Sequence, residues 1–282
     1  MAPSTILSPS EFDIKYISYS DVVERKNGSK VCYPLYNNKP IYFQTPQMYA
    51  PFGISSFNNE PGVQETYSMN LSFQGMAERK SVKKLFDVME SIDKSNVKEA
   101  FENCSTWLNK KKVNSLDVVE ALYSPIVREP TQEKYSATMK LKLPYYEDMF
   151  KTTFYDKEHN IMNIKNHIAD MKGSKCKAVI MCTGVWFIGG KFGCTWQCEQ
   201  VECILPEKMS GYVIKDIPED NIDVGDVVEE DEEIGIQTKN LSIQDPPESQ
   251  TESEKNDVES DSDDDDDDDD DTPVPVVVKK KK

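Results

Sequence analysis

Residues 175–205 read KCKAVIMCTGVWFIGGKFGCTWQCEQVECIL. Two runs in it, Lys175 to Trp186 and Gly193 to Leu205, are the longest β-like stretches of the chain. Ile188-Gly189-Gly190-Lys191 links them as a turn, so the segment reads as a long hairpin. The turn packs two Trp and two Phe around its glycines: Gly184, Trp186, Phe187, Gly189, Gly190, Lys191, Phe192, Gly193 and Trp196. Glycine permits sharp bending and close backbone approach. Aromatic faces beside a lysine suit a single-stranded nucleic acid, whose bases stack while its phosphates meet a cation. Trp186 and Trp196 fit core positions of a barrel corner equally well, because aromatic side chains in strands are usually buried.

Upstream, Tyr135 to Leu143 alternates cleanly, with Ala137, Met139, Leu141 and Leu143 on one face and Lys140 and Lys142 on the other. Met149–Tyr155 and Ile161–Ile164 flank a turn at Asp156–Asn160 and predict a second hairpin. Residues 82–122 change period. Val82, Leu85, Phe86, Met89 and Ile92 lie three or four apart, as do Val97, Ala100, Phe101, Cys104 and Leu108, which gives helical stripes. Ser115 reads as the N-cap of a short helix ending before Pro125. Further upstream, residues 11–24 alternate as a strand and Asn27-Gly28 predicts a tight turn. Val31–Tyr36 then pairs back, and Pro40–Thr45 and Tyr67–Gln74 are further strands, separated by a stretch broken by Pro46, Pro51 and Gly53. Short strands with frequent turns and one helical insert, about 78–123, predict a mainly β, α+β fold: an OB-fold-like small barrel elaborated by helices.

The charge of the 282-residue chain, −17 in total, divides unevenly: residues 216–282 carry 26 acidic and 6 basic side chains, and residues 1–215 carry 27 basic and 24 acidic. Every aromatic residue lies before position 216. Few large apolar groups and strong self-repulsion predict a disordered acidic tail over 208–282, following a flexible arm at 1–10 and a folded body at 11–207. No run approaches the roughly 18 apolar residues that span a bilayer, and the first residues lack the pattern of a secretion signal. Seven cysteines, an odd number, then predict reduced thiols in an intracellular compartment.

Two lysine pairs, Lys140 with Lys142 and Lys175 with Lys177, each share a strand face. A pair could track successive phosphates, or protect a solvated edge strand against aggregation. Lys110-Lys111-Lys112 at a helix end reads as solvated charge favoured by the dipole. In the tail, Asp263, Asp264, Asp265, Asp266, Asp267, Asp268, Asp269, Asp270 and Asp271 form an unbroken polyanion. Such a block imitates a nucleic-acid backbone. Tethered to a mildly basic body, it can occupy that body's groove at high effective concentration, dock to basic proteins, or simply solubilise the chain. Lys279 to Lys282 then give the tail a basic end.

Metal and catalytic signatures are weak. No C-x2-C pair exists, His159 and His167 are not spaced for a zinc finger, and Cys194 and Cys198 share a face with Trp196 as small core groups. Gly189-Gly190-Lys191-Phe192 resembles a phosphate loop only superficially, since Val185 stands where the first glycine should be and Phe192 where a metal-binding hydroxyl should be. The sequence predicts no metal, no cofactor and no enzyme.

Gln44-Thr45-Pro46 with Pro51-Phe52-Gly53, the helical insert, Lys140-x-Lys142-x-Pro144, the late Gly184-x-Trp186 to Trp196 hairpin and the acidic tail together resemble the OB-fold single-stranded DNA-binding proteins of phages and large eukaryotic DNA viruses. The resemblance implies a non-catalytic, sequence-independent binder of single-stranded DNA in viral DNA replication or recombination, with replication or recombination proteins recruited through the tail, no membrane partner, and a homodimer allowed. It implies location in the host cytoplasm or at a viral replication site, or packaging in the virion. Carried over, its groove residues are Lys140, Lys142, Trp186, Lys191, Phe192 and Trp196; Lys175 and Lys177 join them from the strand reading. The alternative is an acidic-tailed interaction protein, a chaperone for basic proteins or an internal virion component.

Overall fold

The computed structural model describes residues 5–25, 28–57, 65–110, 112–207, 212, 214 and 215. The tail aspartates, Lys279–Lys282 and Lys111 lie outside the described residues. Five strands carry the architecture: β1 (Met48–Ala50), β2 (Thr66–Ser72), β3 (Thr138–Leu143), β4 (Ser174–Ile188) and β5 (Lys191–Ile204). β1 pairs with β2, β2 with β3 and β4 with β5, all antiparallel; β3 runs parallel to β5, and β4 returns antiparallel to β1. The circuit closes in the order 1-2-3-5-4-1, a five-stranded barrel of the OB kind. The fold is mainly β with a helical insertion, as the patterning predicts.

Period two explains the inside of the barrel. Met69 and Leu71 of β2, Met139 and Leu141 of β3, and Ile180, Trp196 and Val201 of the long hairpin all point inward and are buried with Phe43. β4 serves three neighbours in turn: Ser174–Cys176 meets β1, Val179–Met181 meets the short strand Tyr42–Gln44, and Val185–Phe187 meets Lys30–Cys32. Register shifts at Val179/Ile180 and Cys182/Gly184 bend it between partners.

The insert enters between β2 and β3 as α1 (Lys80–Glu102), α2 (Cys104–Trp107) and α3 (Leu116–Glu120). The first stripe and the start of the second, to Phe101, belong to one helix, α1, whose Val82, Leu85, Met89 and Ile92 join the barrel core, while Cys104 opens α2 and Leu108 caps it. The second half of α1 joins another core, in which Val97 and Ala100 pack with Trp107, Val185, Phe187 and Phe192. Phe101, expected on the stripe, is exposed. A polar network locks α1 to the sheet. Tyr123 Oη donates to Asp93 Oδ1 at 2.6 Å, the Ile126 amide donates to the same carboxylate at 3.1 Å, and Asn96, fully buried, bonds Tyr19 and Tyr123 at 2.8 Å each. Burial pushes the Asp93 carboxyl up to about 6, against the pull of those donors.

Three expectations need correction. Residues 11–16 are not a strand: Pro9–Glu11 and Ile14–Tyr16 form single 3-10 turns, capped by the side chains of Ser8 and Asp13. Short side-chain acceptors at those positions compete with strand pairing for the backbone N–H groups. Residues 5–10 are not a loose arm either, because Leu7 packs in the barrel core and bonds Tyr42 and Gln44 through its backbone. Met149–Tyr155 is not one strand: Met149–Phe150 closes a small hairpin with Tyr145–Tyr146, and only Thr153–Tyr155 pairs with Ile161–Met162. Ile164–Met171, a 3-10 segment between β3 and β4, has no counterpart in the sequence reading.

Candidate nucleic-acid interface

The outer face of β2 and β3 follows from the inner one. With Met69 opposite Leu141 in the core, Asn70 must lie opposite Lys140 and Ser68 opposite Lys142 on the other side. The rows extend sideways. Ser55, on the short strand Ile54–Phe57, sits opposite Ser68, and Gln197 of β5 sits opposite Lys142. One row along, Tyr49 of β1 lies opposite both Ser72 of β2 and Lys175 of β4. Successive rows stand about 7 Å apart, two residues of strand rise. These three rows carry lysines, hydroxyls and amides, an arrangement that suits a chain of phosphates; the Glu199 carboxylate borders them, accepting from Gln197 Nε2 at 2.7 Å.

Exposed rings flank the rows. Tyr49, Phe52 and Phe57 are 37%, 60% and 52% exposed, all within or beside the connection from β1 to β2. The turn that carries Phe52 is seated by Gly53, whose φ is +66° and where a Cβ would lie 2.6 Å from the backbone nitrogen of Lys172. Only glycine allows that approach, and it brings Phe52 and the exposed Lys172 to one corner. The sequence reading missed these three rings. The signal for Phe52 is position, since a ring in the Pro51–Gly53 turn has no strand face to bury it; Tyr49 and Phe57 point outward from strands too short to show a period.

The structure separates the residues expected to act together. It places Lys140, Lys142 and Lys175 on the rows described. Lys177 lies one row away and is ion-paired with Glu202 at 2.8 Å; hydrogen bonding from that ammonium lowers the Glu202 carboxyl. Lys191 is exposed at the tip of the β4–β5 hairpin. Trp186 is half-buried with its indole over Gly193, where a Cβ would come 2.7 Å from Cζ2. Phe192 and Trp196 cannot stack bases. Phe192 is fully buried, 4.9 Å from the Tyr123 ring and 6.0 Å from that of Phe187. Trp196 is inside the barrel, 5.8 Å from the ring of Phe43. The hairpin that reads as a nucleic-acid platform is the floor on which the helical insert packs.

All seven cysteines are free thiols, five of them buried. Burial pushes Cys176 up to about 11 and Cys203 up to about 12, which keeps them protonated and unreactive. Among the described residues no three His, Cys, Asp or Glu side chains gather as a metal site, and no helix is long and apolar enough to cross a membrane.

Residues 72–224 match a family described as a family of unknown function, DUF5871. The chain belongs to this family. It is also 26% identical over 170 residues to the uncharacterized protein L291 of Acanthamoeba polyphaga mimivirus, across 59% of this chain and 26% of that protein. The chain therefore aligns with about a quarter of that relative's length. Among solved structures it is similar to the single-stranded DNA-binding protein of bacteriophage Enc34 in complex with single-stranded DNA (12% identity, TM-score 0.38, 74% of this chain and 97% of that one). It is similar as well to gp2.5, a single-stranded DNA-binding protein encoded by bacteriophage T7 (13% identity, TM-score 0.36, 62% and 98%). At this distance the likenesses assign no residue of the family a role, and the reading of the surface rests on its own geometry.

Proposed function

We propose that the chain binds single-stranded DNA, without sequence preference and without catalysis, along the outer face of β2 and β3. The observation that carries this reading is the juxtaposition of Lys140, Lys142 and Lys175 on these rows with the exposed rings of Tyr49, on the last row, and of Phe52 and Phe57, which flank them. The lysines neutralise phosphates and release counterions; the rings stack bases, which is tolerant of sequence because every base has a π-face. Hydroxyls and amides at Ser55, Ser68, Asn70 and Gln197 complete a polar floor.

The acidic tail competes for the same face. Nine consecutive aspartates tethered to the body are a local polyanion at high effective concentration, displaced when DNA arrives and then free to engage replication or recombination proteins in a viral replication setting. Anisotropy of a labelled oligo-dT tests both parts. The full chain binds, its affinity falls steeply between about 50 and 200 mM salt, and deleting residues 216–282 tightens binding. A chain that binds duplex and single strand equally, or a tailless one that binds more weakly, contradicts the reading.

A further inference from the structure

We propose that the single-strand path leaves the barrel and continues over the start of α1, where Lys80 and Lys84 take phosphates; this rests on the proposed single-strand reading. The helix begins where the rows end. Ser72, the last residue of β2, shares a row with Tyr49. After it the chain turns through Gly75, and the Arg79 guanidinium donates to the carbonyl oxygen of Gln47, two residues before Tyr49. The first turn of α1 is thereby tied to the segment that leads into β1.

Charge on α1 is distributed unequally. Lys83 pairs with Asp87 at 2.6 Å, Lys94 with Glu90 at 3.5 Å and Lys98 with Glu102 at 3.8 Å, each one turn apart. Among the described residues Lys80 and Lys84 form no ion pair. They too are one turn apart, exposed on the side opposite Val82, Leu85 and Met89, and they lie at the end of the helix that adjoins the rows. Beside them opens a cleft of about 360 Å³ between Ser81 and Lys84 on the helix, Thr45 and Pro46 on the link to β1, and the turn at Pro9–Glu11. The exposed Glu11 carboxylate, engaged by the Ser8 amide at 2.7 Å, lines the same cleft as Lys84. That acid disfavours an anion inside the cleft, so the proposed track runs along the solvent face of the helix that carries Lys80 and Lys84. A short oligonucleotide on the barrel face would not reach the rim, whereas a longer one would.

The test compares the full chain with K80E/K84E on two lengths of labelled oligo-dT, about 6 and about 16 nucleotides, within the span of site sizes seen for such barrels. The expected result is unchanged affinity for the short oligonucleotide, at least a tenfold loss for the long one, and a salt slope on the long one reduced by about 1.4, the share of two phosphate contacts on a single strand. Equal thermal midpoints for the two proteins show that the fold is intact. Full affinity of K80E/K84E for the long oligonucleotide, or equal losses on both lengths, overturns the inference while leaving the barrel face standing. Failure of the unmodified chain to bind either length overturns the underlying reading, and the inference with it.

Discussion

Two regions of this molecule carry lysines beside aromatic rings, and they differ in what covers the rings. At the tip of the β4–β5 hairpin the rings are consumed by packing: Phe187 meets Trp107 at 5.1 Å, Phe192 meets Tyr123, and the helical insert closes over them. On the face made by β1, β2 and β3 the rings of Tyr49, Phe52 and Phe57 have no such cover. Composition is richer at the hairpin, and availability is greater on the face. A ring stabilises a core or stacks a base according to what lies on its other side. Here that is decided by an insert some eighty residues earlier in the chain.

The largest effect separates these roles through stability. Trp196→Ala should cost about 3–5 kcal/mol in urea denaturation, the usual range for deleting a buried aromatic side chain. Trp186→Ala, half-buried over Gly193, should cost well under half as much. Equal costs would erase the contrast. Next, charge reversal of Lys140 and Lys142 together should weaken oligo-dT binding by tenfold or more at low salt, whereas Lys191→Glu at the hairpin tip should change it by no more than about twofold.

Asp93 joins the two regions, since it holds the segment that leads from the insert into β3. Its folded carboxyl titrates at about 6, above the unfolded value of about 4. Between those values the folded state holds a proton that the unfolded chain has released. The stability gained from this group is therefore complete below about pH 4 and is lost as pH rises through 6. Asp156 and Glu202, both lowered and both partly exposed, act in the opposite sense and weakly. Asp93→Asn should flatten the slope of the urea midpoint between pH 4 and 6, a difference of up to about 3 kcal/mol; an unchanged slope would place the titration elsewhere. Phe52→Ala should reduce oligo-dT affinity several-fold, at the low end of about 1–3 kcal/mol for a stacked base, with no change in thermal midpoint. The smallest effect belongs to Lys177→Ala, which breaks an exposed ion pair and should shift stability by less than about 1 kcal/mol and binding hardly at all.

The legible parts of the fold are those where local pattern and tertiary contact agree. Residues 137–143 alternate because one face of β3 meets the core and the other meets water, so the pattern alone places Lys140 and Lys142 on the outer face. The β4–β5 hairpin was equally legible as a hairpin, with its turn at Ile188–Lys191. What it faces was not, because its period two says that alternate residues differ and not which side a distant helix will cover. Phe192 and Trp196 were accordingly misassigned to a binding face. Phe52 escapes the pattern for the converse reason: it sits in a turn where no periodicity applies, and only Gly53 seated against Lys172 makes that turn a corner of the surface. Phe57 ends a four-residue strand too short to show a period. Residues 11–16 look like a strand by alternation alone, and Ser8 and Asp13 convert them into turns by capping their own neighbours.

Ultraviolet cross-linking of oligo-dT to the full chain, with the attached peptides located by mass spectrometry, tests the central contrast most directly. The account predicts adducts at Tyr49, Phe52 or Phe57 and on the peptide that contains Lys140 and Lys142. Adducts concentrated at Trp186 and the hairpin tip, with none between residues 49 and 57, would contradict it.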